Sequence, residues 1–240
     1  MSGHSKWAKL KHFKGVLDAK KSSLFSKLTQ LITIAAREGE DERTNFKLRL
    51  AIEKAKQANM PKENIERAVQ RGARKIKGEQ IEEVIYEVFA QEGGAIVVEA
   101  LTDNKNRTLA NLRRILNRYE ARLGEKNSVL RLFKRRGIIR ILNFKEQVPN
   151  LEDFELRVID LGAEDIREEK DELAIFTKLE DLQKVKEGLE KQGVKVDYAE
   201  IEWFAKNPIK ISQETQKKIE ALCSELDNDS DINDYYTNIE

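Results

Sequence analysis

GIIRILNFKEQVPNLEDFELRVIDLGAEDIREEKDELAIFTKLEDLQKVKEGLEKQGVKVDYAEIEWFA, residues 137–205, is the stretch on which the architecture turns. Ile138–Leu142 is a short β-branched run and reads as a strand. Residues 151–161 read as a helix. Ala163–Glu168 and Leu173–Thr177 form a strand pair that turns around Glu169–Asp171. Residues 179–191 make a second helix, and Val194–Phe204 contains the last strand. The order is βαββαβ, the ferredoxin-like arrangement, in which an antiparallel sheet carries two helices on one face.

Outward from that module, the upstream chain has its own pattern. Val84, Tyr86 and Val88 alternate with Ile85, Glu87 and Phe89, the period-two signature of a strand. Gly93-Gly94 supplies a turn and Ala95–Leu101 a second strand. Thr102–Thr108, reading TDNKNRT, leads into a helix carrying Leu109, Leu112, Leu116 and Tyr119. Val129–Phe133 is expected as a third strand. This ββαβ layer is one helix short, and residues 212–226 supply a helix after the module. The module 137–205 is therefore expected as an insertion into a middle α+β domain made of 79–136 plus 206–240.

Residues 23–78 read as three short, alanine-rich helices. Ser22 or Ser23 is expected to cap the first, with Gly39 as its stop. Thr44 or Asn45 caps the second. Pro61 opens the third, and Gly72 is expected to end it. Residues 1–22 form a basic arm in which lysines are interleaved with Trp7 and Phe13 and no helical stripe is evident. The fold class is α+β in three domains: a helical N-terminal domain and two α+β sheet domains, the last ferredoxin-like and inserted.

Net charge conceals a partition. The 240 residues carry 44 basic and 43 acidic side chains. Residues 1–78 are net +11, 79–104 net −7, 105–145 net +11 and 146–240 net −14. Two strongly basic segments point to nucleic acid, because phosphates respond to the local field rather than to the total. The acidic 146–240 region could dock a basic protein.

Composition narrows the function classes. One cysteine, Cys223, excludes an intrachain disulfide and a Cys-rich zinc site. Only His4 and His12 could serve histidine-based catalysis. No Gly-rich phosphate loop and no Ser-His-Asp set is evident, so no enzyme, metal or cofactor is expected. No run suits a membrane span and the start lacks an apolar signal region, so a cytoplasmic location is expected. At the C-terminus, Asp229, Asp231, Asn233 and Glu240 fall on four calcium-loop positions, but Asp234 stands where glycine is required. Asp227–Glu240 is expected to be a solvated acidic tail.

The informative residues are basic. Lys6, Lys9, Lys11, His12 and Lys14 of the arm would hold phosphates while Trp7 stacks on a base. Arg107, Arg113, Arg114 and Arg118 fall on the helix after TDNKNRT, and Arg135 and Arg136 follow near the next strand. Guanidinium groups bind phosphate in a planar fork. Asn104 is either a helix cap or a polar ligand contact.

Longer strings carry a resemblance. GHSKW (3–7) followed by KH, AAREG (35–39), LRLAIEKAK (48–56), NMPKENIERA (59–68) and EALTDNKNRT (99–108) resemble the YebC/PmpR family. That resemblance implies a three-domain cytoplasmic protein that binds DNA as a transcriptional regulator. A related mitochondrial member is a translational activator of cytochrome oxidase, and bacterial members are linked to translating ribosomes. The arm carries over at Lys6, Trp7, Lys9, Lys11 and His12. The turn carries over at Asp103, Asn104, Asn106, Arg107 and Thr108. Where the family often has Gly-Pro-Gly-Gly, this chain has Ala90-Gln-Glu-Gly-Gly94.

Three functions stay open at this point. The first is DNA-binding transcriptional regulation. The second is a ribosome-associated factor contacting ribosomal or transfer RNA, which suits a basic-aromatic arm and dispersed patches. The third is a protein-interaction scaffold.

Overall fold

The computed structural model describes residues 18–76, 80–169 and 171–240. The chain is α+β, with a helical N-terminal region and two antiparallel sheets. It separates into two compact units, Met1–Phe133 with Ala205–Glu240, and Lys134–Phe204.

The helical region holds α1 (Asp18–Ala35), a 3-10 turn (Ala36–Glu38), α2 (Phe46–Gln57) and α3 (Lys62–Gly72). Leu28, Ile32, Leu48, Ile52, Ile65 and Ala68 form its core. The first helix already includes Asp18, so Ser22 and Ser23 lie inside it rather than at its cap. The apolar stripe begins only at Leu24, but alanine and lysines extend a helix without one. Asn45 is the cap of α2. Its Oδ1 accepts from the Leu48 N–H at 3.0 Å, while its amide nitrogen donates to the carbonyls of Ala35 and Gly39, both at 2.7 Å. One buried side chain thus closes the end of α1 and the start of α2.

Gly72 is the last residue of α3, as expected, but it does not take a left-handed stop conformation. A Cβ there would sit 2.3 Å from the Thr33 carbonyl oxygen and 2.6 Å from the Ala36 Cβ. Glycine is needed for backbone-to-backbone packing of two helices, not for a stop. The left-handed residue after the helix is Arg74, at φ 59°.

The first sheet runs β3 (Arg122–Leu123), β1 (Glu82–Phe89), β2 (Ala95–Thr102), β8 (Ile232–Thr237), all antiparallel. Helix α4 (Lys105–Arg118) and helix α8 (Gln213–Asn228) share its core, where Val88, Ile96, Val98, Leu112, Leu116 and Leu222 pack. Two expectations fail in this sheet. Residues 129–133 do not form its third strand. Leu130–Leu132 is a 3-10 turn, and the two-residue β3 pairs with β1 instead. The buried Glu87 carboxylate is the cause. It accepts from the backbone N–H groups of Asn127, Val129 and Leu130 at 2.5, 2.5 and 2.9 Å, so those donors have no need of a strand partner. The acidic tail is likewise not solvated. It is β8, paired along β2, with Ile232, Tyr235, Tyr236 and Ile239 buried. Its aromatic and β-branched residues outweigh its acids.

The turn after β1 also finds a reason. Glu92, at φ 53°, sends its carboxylate to the start of α8. It accepts from the Ser212 N–H at 2.8 Å, the Ser212 Oγ at 2.6 Å and the Thr215 Oγ1 at 2.6 Å. Those bonds, the Ser212 hydroxyl first, hold its pKa down to about 2. A depressed carboxylate contributes stability above its unfolded pKa of about 4.3, and the contribution disappears as pH falls toward the folded value. Glu92→Gln should therefore lower the denaturation midpoint at neutral pH, and the gap to the parent should narrow between about pH 5 and pH 2. A gap that stays constant with pH would show that the carboxylate charge contributes nothing.

The second unit contains β4 (from Phe133 to Leu142), α5 (Phe144–Gln147), α6 (Leu151–Leu161), β5 (Ala163–Glu169), β6 (Glu172–Thr177), α7 (Leu182–Lys191) and β7 (Tyr198–Ala205). The strand order is β5-β6-β4-β7, with β6 antiparallel to both neighbours. This is the ferredoxin-like order, inserted between β3 and α8 of the first unit. Asn150 caps α6, its Oδ1 accepting from the Asp153 N–H, and Gly162 ends that helix at φ 119°.

Candidate nucleic-acid interface

Helix α4 carries Arg107, Arg113, Arg114 and Arg118 on one element. Asn104 is its N-cap, the side chain accepting from the Arg107 N–H at 3.1 Å, so its structural role as a cap is established. Leu112, Ile115 and Leu116 point into the core. Asn106, Ala110, Arg113 and Asn117 recur at steps of three and four residues along the exposed face.

The arginines of this helix divide into two kinds. Arg107 is tied back into the protein. Its Nη2 bonds Asp103 Oδ1 at 2.7 Å and Asp231 Oδ2 at 2.9 Å, and Asp231 is buried. Thr108 Oγ1 also donates to Asp231, at 2.7 Å, and lies 2.8 Å from the Thr102 hydroxyl. The TDNKNRT turn is thus clasped by an acid from β8's approach. Arg118 meets both oxygens of Glu225 at 2.9 Å, and Tyr119 donates to the same carboxylate at 2.8 Å. The Tyr119 bond and then Arg118 hold the Glu225 carboxyl below its ordinary range, and the nearby charge of Arg114 adds to this. Arg113 and Arg114 are exposed and form no ion pair among the described residues. Their guanidinium groups face solvent on a helix whose position is set by its neighbours.

The basic 105–145 segment is divided between the two units, so its residues are described separately. In the second unit, Arg135 is exposed and stands over Trp203, with its guanidinium carbon 5.3 Å from the ring centroid. Arg136 is mostly covered. It bonds Glu164 at 3.1 Å and stands 4.9 Å from the Phe176 centroid. The central strands β4 and β6 bury residues of both alternations, including Ile138, Ile139, Ala174 and Ile175.

Lys6, Trp7, Lys9, Lys11, His12 and Lys14 lie outside the described residues. The structure therefore gathers Asn104, Arg107, Arg113, Arg114 and Arg118 on one helix, and places Arg135 and Arg136 in the other unit. Sequence reasoning missed Asp231 and Glu225, the acids that claim two of these arginines. Both lie more than one hundred residues downstream in the chain, and no local pattern links them to the helix. Among the described residues no cluster of three or more His, Cys, Asp or Glu could hold a metal ion, and no helix is long and apolar enough to cross a membrane.

Comparisons with known proteins cover nearly the whole chain. Residues 5–75 match the TACO1/YebC protein N-terminal domain, and residues 81–239 match the TACO1/YebC second and third domain. The chain is 46% identical over 241 aligned positions to a protein of Pseudothermotoga lettingae named as a probable transcriptional regulatory protein, spanning 100% of this chain and 94% of that one. A protein of the same description from Caldanaerobacter subterraneus is also 46% identical over 241 positions, with 98% of its length covered. The crystal structure of a conserved hypothetical protein from Aquifex aeolicus superposes with a TM-score of 0.85 at 40% identity, covering 98% of this chain and 97% of that one.

Proposed function

The chain belongs to the TACO1/YebC family, and from that premise we propose that it is a cytoplasmic, nucleic-acid-binding regulator of gene expression. Its relatives' names point to transcription and hence to DNA. The observation that carries the reading is the exposed, unpaired pair Arg113 and Arg114 on α4. Neighbouring Arg107 and Arg118 are ion-paired with Asp231 and Glu225, whereas Arg113 and Arg114 form no ion pair among the described residues, Arg114 acting on Glu225 only through its nearby charge. An arginine held in solvent without a carboxylate is poised for a phosphate. Bonds of this kind fix position on a nucleic acid without reading its bases.

Replacing Arg113 and Arg114 together by glutamine should weaken binding of the full chain to duplex DNA. The slope of log affinity against log salt should fall by about two, one for each phosphate no longer neutralised. The fold should be retained, since both side chains lie outside the core. An unchanged slope would remove α4 from the interface.

A second reading, an RNA-contacting translation factor, is favoured by one feature. Arginine surfaces occur on both units rather than on one continuous helix, and Arg135 stands over an aromatic ring. Dispersed basic patches suit an irregular RNA better than a regular groove. Crosslinking bound nucleic acid in intact cells and sequencing it separates the two readings.

A further inference from the structure

We propose that the outer face of α3 in the helical region is a second phosphodiester-binding surface, carried by Arg67, Arg71 and Arg74. This rests on the nucleic-acid reading above and adds a site that the α4 arginines do not include.

The geometry starts from packing. Ile65, Ala68 and Gly72 form the inward face of α3. Gly72 brings that face into backbone contact with α1, since any side chain there would overlap the Thr33 carbonyl. The opposite face is therefore turned to solvent in one rigid orientation. On it stand Arg67, Gln70 and Arg71, exposed and spaced i, i+3 and i+4, and the exposed Arg74 follows two residues beyond the helix end. Arg67 and Arg71 are one turn apart, a rise of about 6 Å.

The second observation is how the acids of this region are used. Lys47 is paired with Glu38, Lys62 with Glu66 and Lys75 with Glu40, at 2.5, 3.5 and 2.6 Å. Each of these acids goes to a lysine. Arg67, Arg71 and Arg74 form no ion pair among the described residues, and Glu63, one turn before Arg67, makes none with it. The cations left uncompensated are guanidinium groups, which match phosphate as a fork.

The third observation is conformational. Arg74 has φ 59°, in the left-handed region at the helix end, where glycine is the commonest residue. The Lys75 N–H closes the end on the Gln70 carbonyl at 2.9 Å. An arginine is strained in this position, and side chains kept in strained conformations concentrate at functional sites. The first turn of α3 carries Glu63 and the next turn opens on Glu66, so the phosphate-facing part is the C-terminal half. That fits backbone binding rather than insertion of the helix start into a groove.

The test uses the full chain with two probes, a random-sequence duplex DNA and an RNA hairpin with a single-stranded loop. Arg67→Gln/Arg71→Gln/Arg74→Gln should reduce the salt slope on the preferred probe by two to three, about 0.9 per phosphate on duplex and about 0.7 on single strands. The size of the drop per arginine, and the probe that shows it, identify which backbone is bound. Lys47→Gln/Lys62→Gln, which removes paired lysines, should leave the slope unchanged. Arg74→Gly is the second arm. It should raise the denaturation midpoint by relieving the left-handed strain and yet lower the slope by about one. A gain in stability with no change in slope would reduce Arg74 to a helix end. An unchanged slope in the triple variant, with the parent binding normally, would overturn this surface alone. A parent that binds neither probe at low salt would overturn the nucleic-acid reading and this surface with it.

Discussion

Glu87→Ala should destabilise the first unit by about 3 kcal/mol. The substitution removes a side chain that is 6% exposed and accepts three backbone N–H groups. Asn127 and Leu130 are partly exposed, so water can replace the carboxylate at their amides. Val129 is fully buried, and its N–H would be left without a partner in the interior. An unsatisfied buried donor costs about 1–3 kcal/mol, and the missing charge-assisted bonds add to it. Glu87→Gln should not rescue, because one carboxylate oxygen becomes an NH2 group facing N–H donors. Urea denaturation gives the stability change. Hydrogen exchange at Val129 gives its location, with a large loss of protection expected. Full protection at Val129 in the alanine variant would show that the turn is held by something other than this carboxylate.

Asp231→Ala should cost about 2–4 kcal/mol and loosen the start of α4. The carboxylate side chain is 5% exposed and takes Arg107 at 2.9 Å and Thr108 at 2.7 Å. Without it, Arg107 can turn to solvent, but the Thr108 hydroxyl stays fully buried. Pairing the change with Thr108→Val should recover only a small part of the loss, because the hydroxyl that has lost its carboxylate acceptor still has the Thr102 hydroxyl at 2.8 Å and the Asn104 carbonyl at 3.1 Å. A double-mutant cycle on chemical denaturation measures that coupling. Purely additive effects would mean that the two groups do not stabilise each other. Released from Asp231, Arg107 keeps only its ion pair with Asp103 at 2.7 Å, so nucleic-acid affinity per folded molecule should not fall.

Several elements were legible because their signals are local. The βαββαβ order of the inserted unit follows from hydrophobic runs, turns and helix lengths within one stretch of chain. Asn45 and Asn104 were readable as helix caps, since a cap and the N–H it serves are three residues apart. The exposed arginines of α4 follow from the helix period once Leu112 and Leu116 are placed inside. Charge partition pointed to the basic segments in the same way.

The failures share a different cause. Val129–Phe133 has strand-like residues, but Glu87, some forty residues upstream, consumes its backbone donors. Asp227–Glu240 reads as an acidic tail until β2 is seen to need a neighbour, and then its tyrosines and isoleucines become core. Gly72 does end α3 as read, but the sequence shows that a residue lacks a side chain without showing that one would collide with Thr33 and Ala36. Which arginines are free was also undecidable along the chain. Arg107 and Arg113 are the same residue type on one helix, and only the fold brings Asp231 to the first and no acid to the second. Sequence alone determined most of the helices, the βαββαβ order of the inserted unit and the sign of charge on each segment, because propensity, capping and periodicity act over a few residues. Tertiary structure alone decided which buried acids meet which donors and which cations remain for a partner. Those pairings depend on distances between groups that the chain keeps a hundred residues apart.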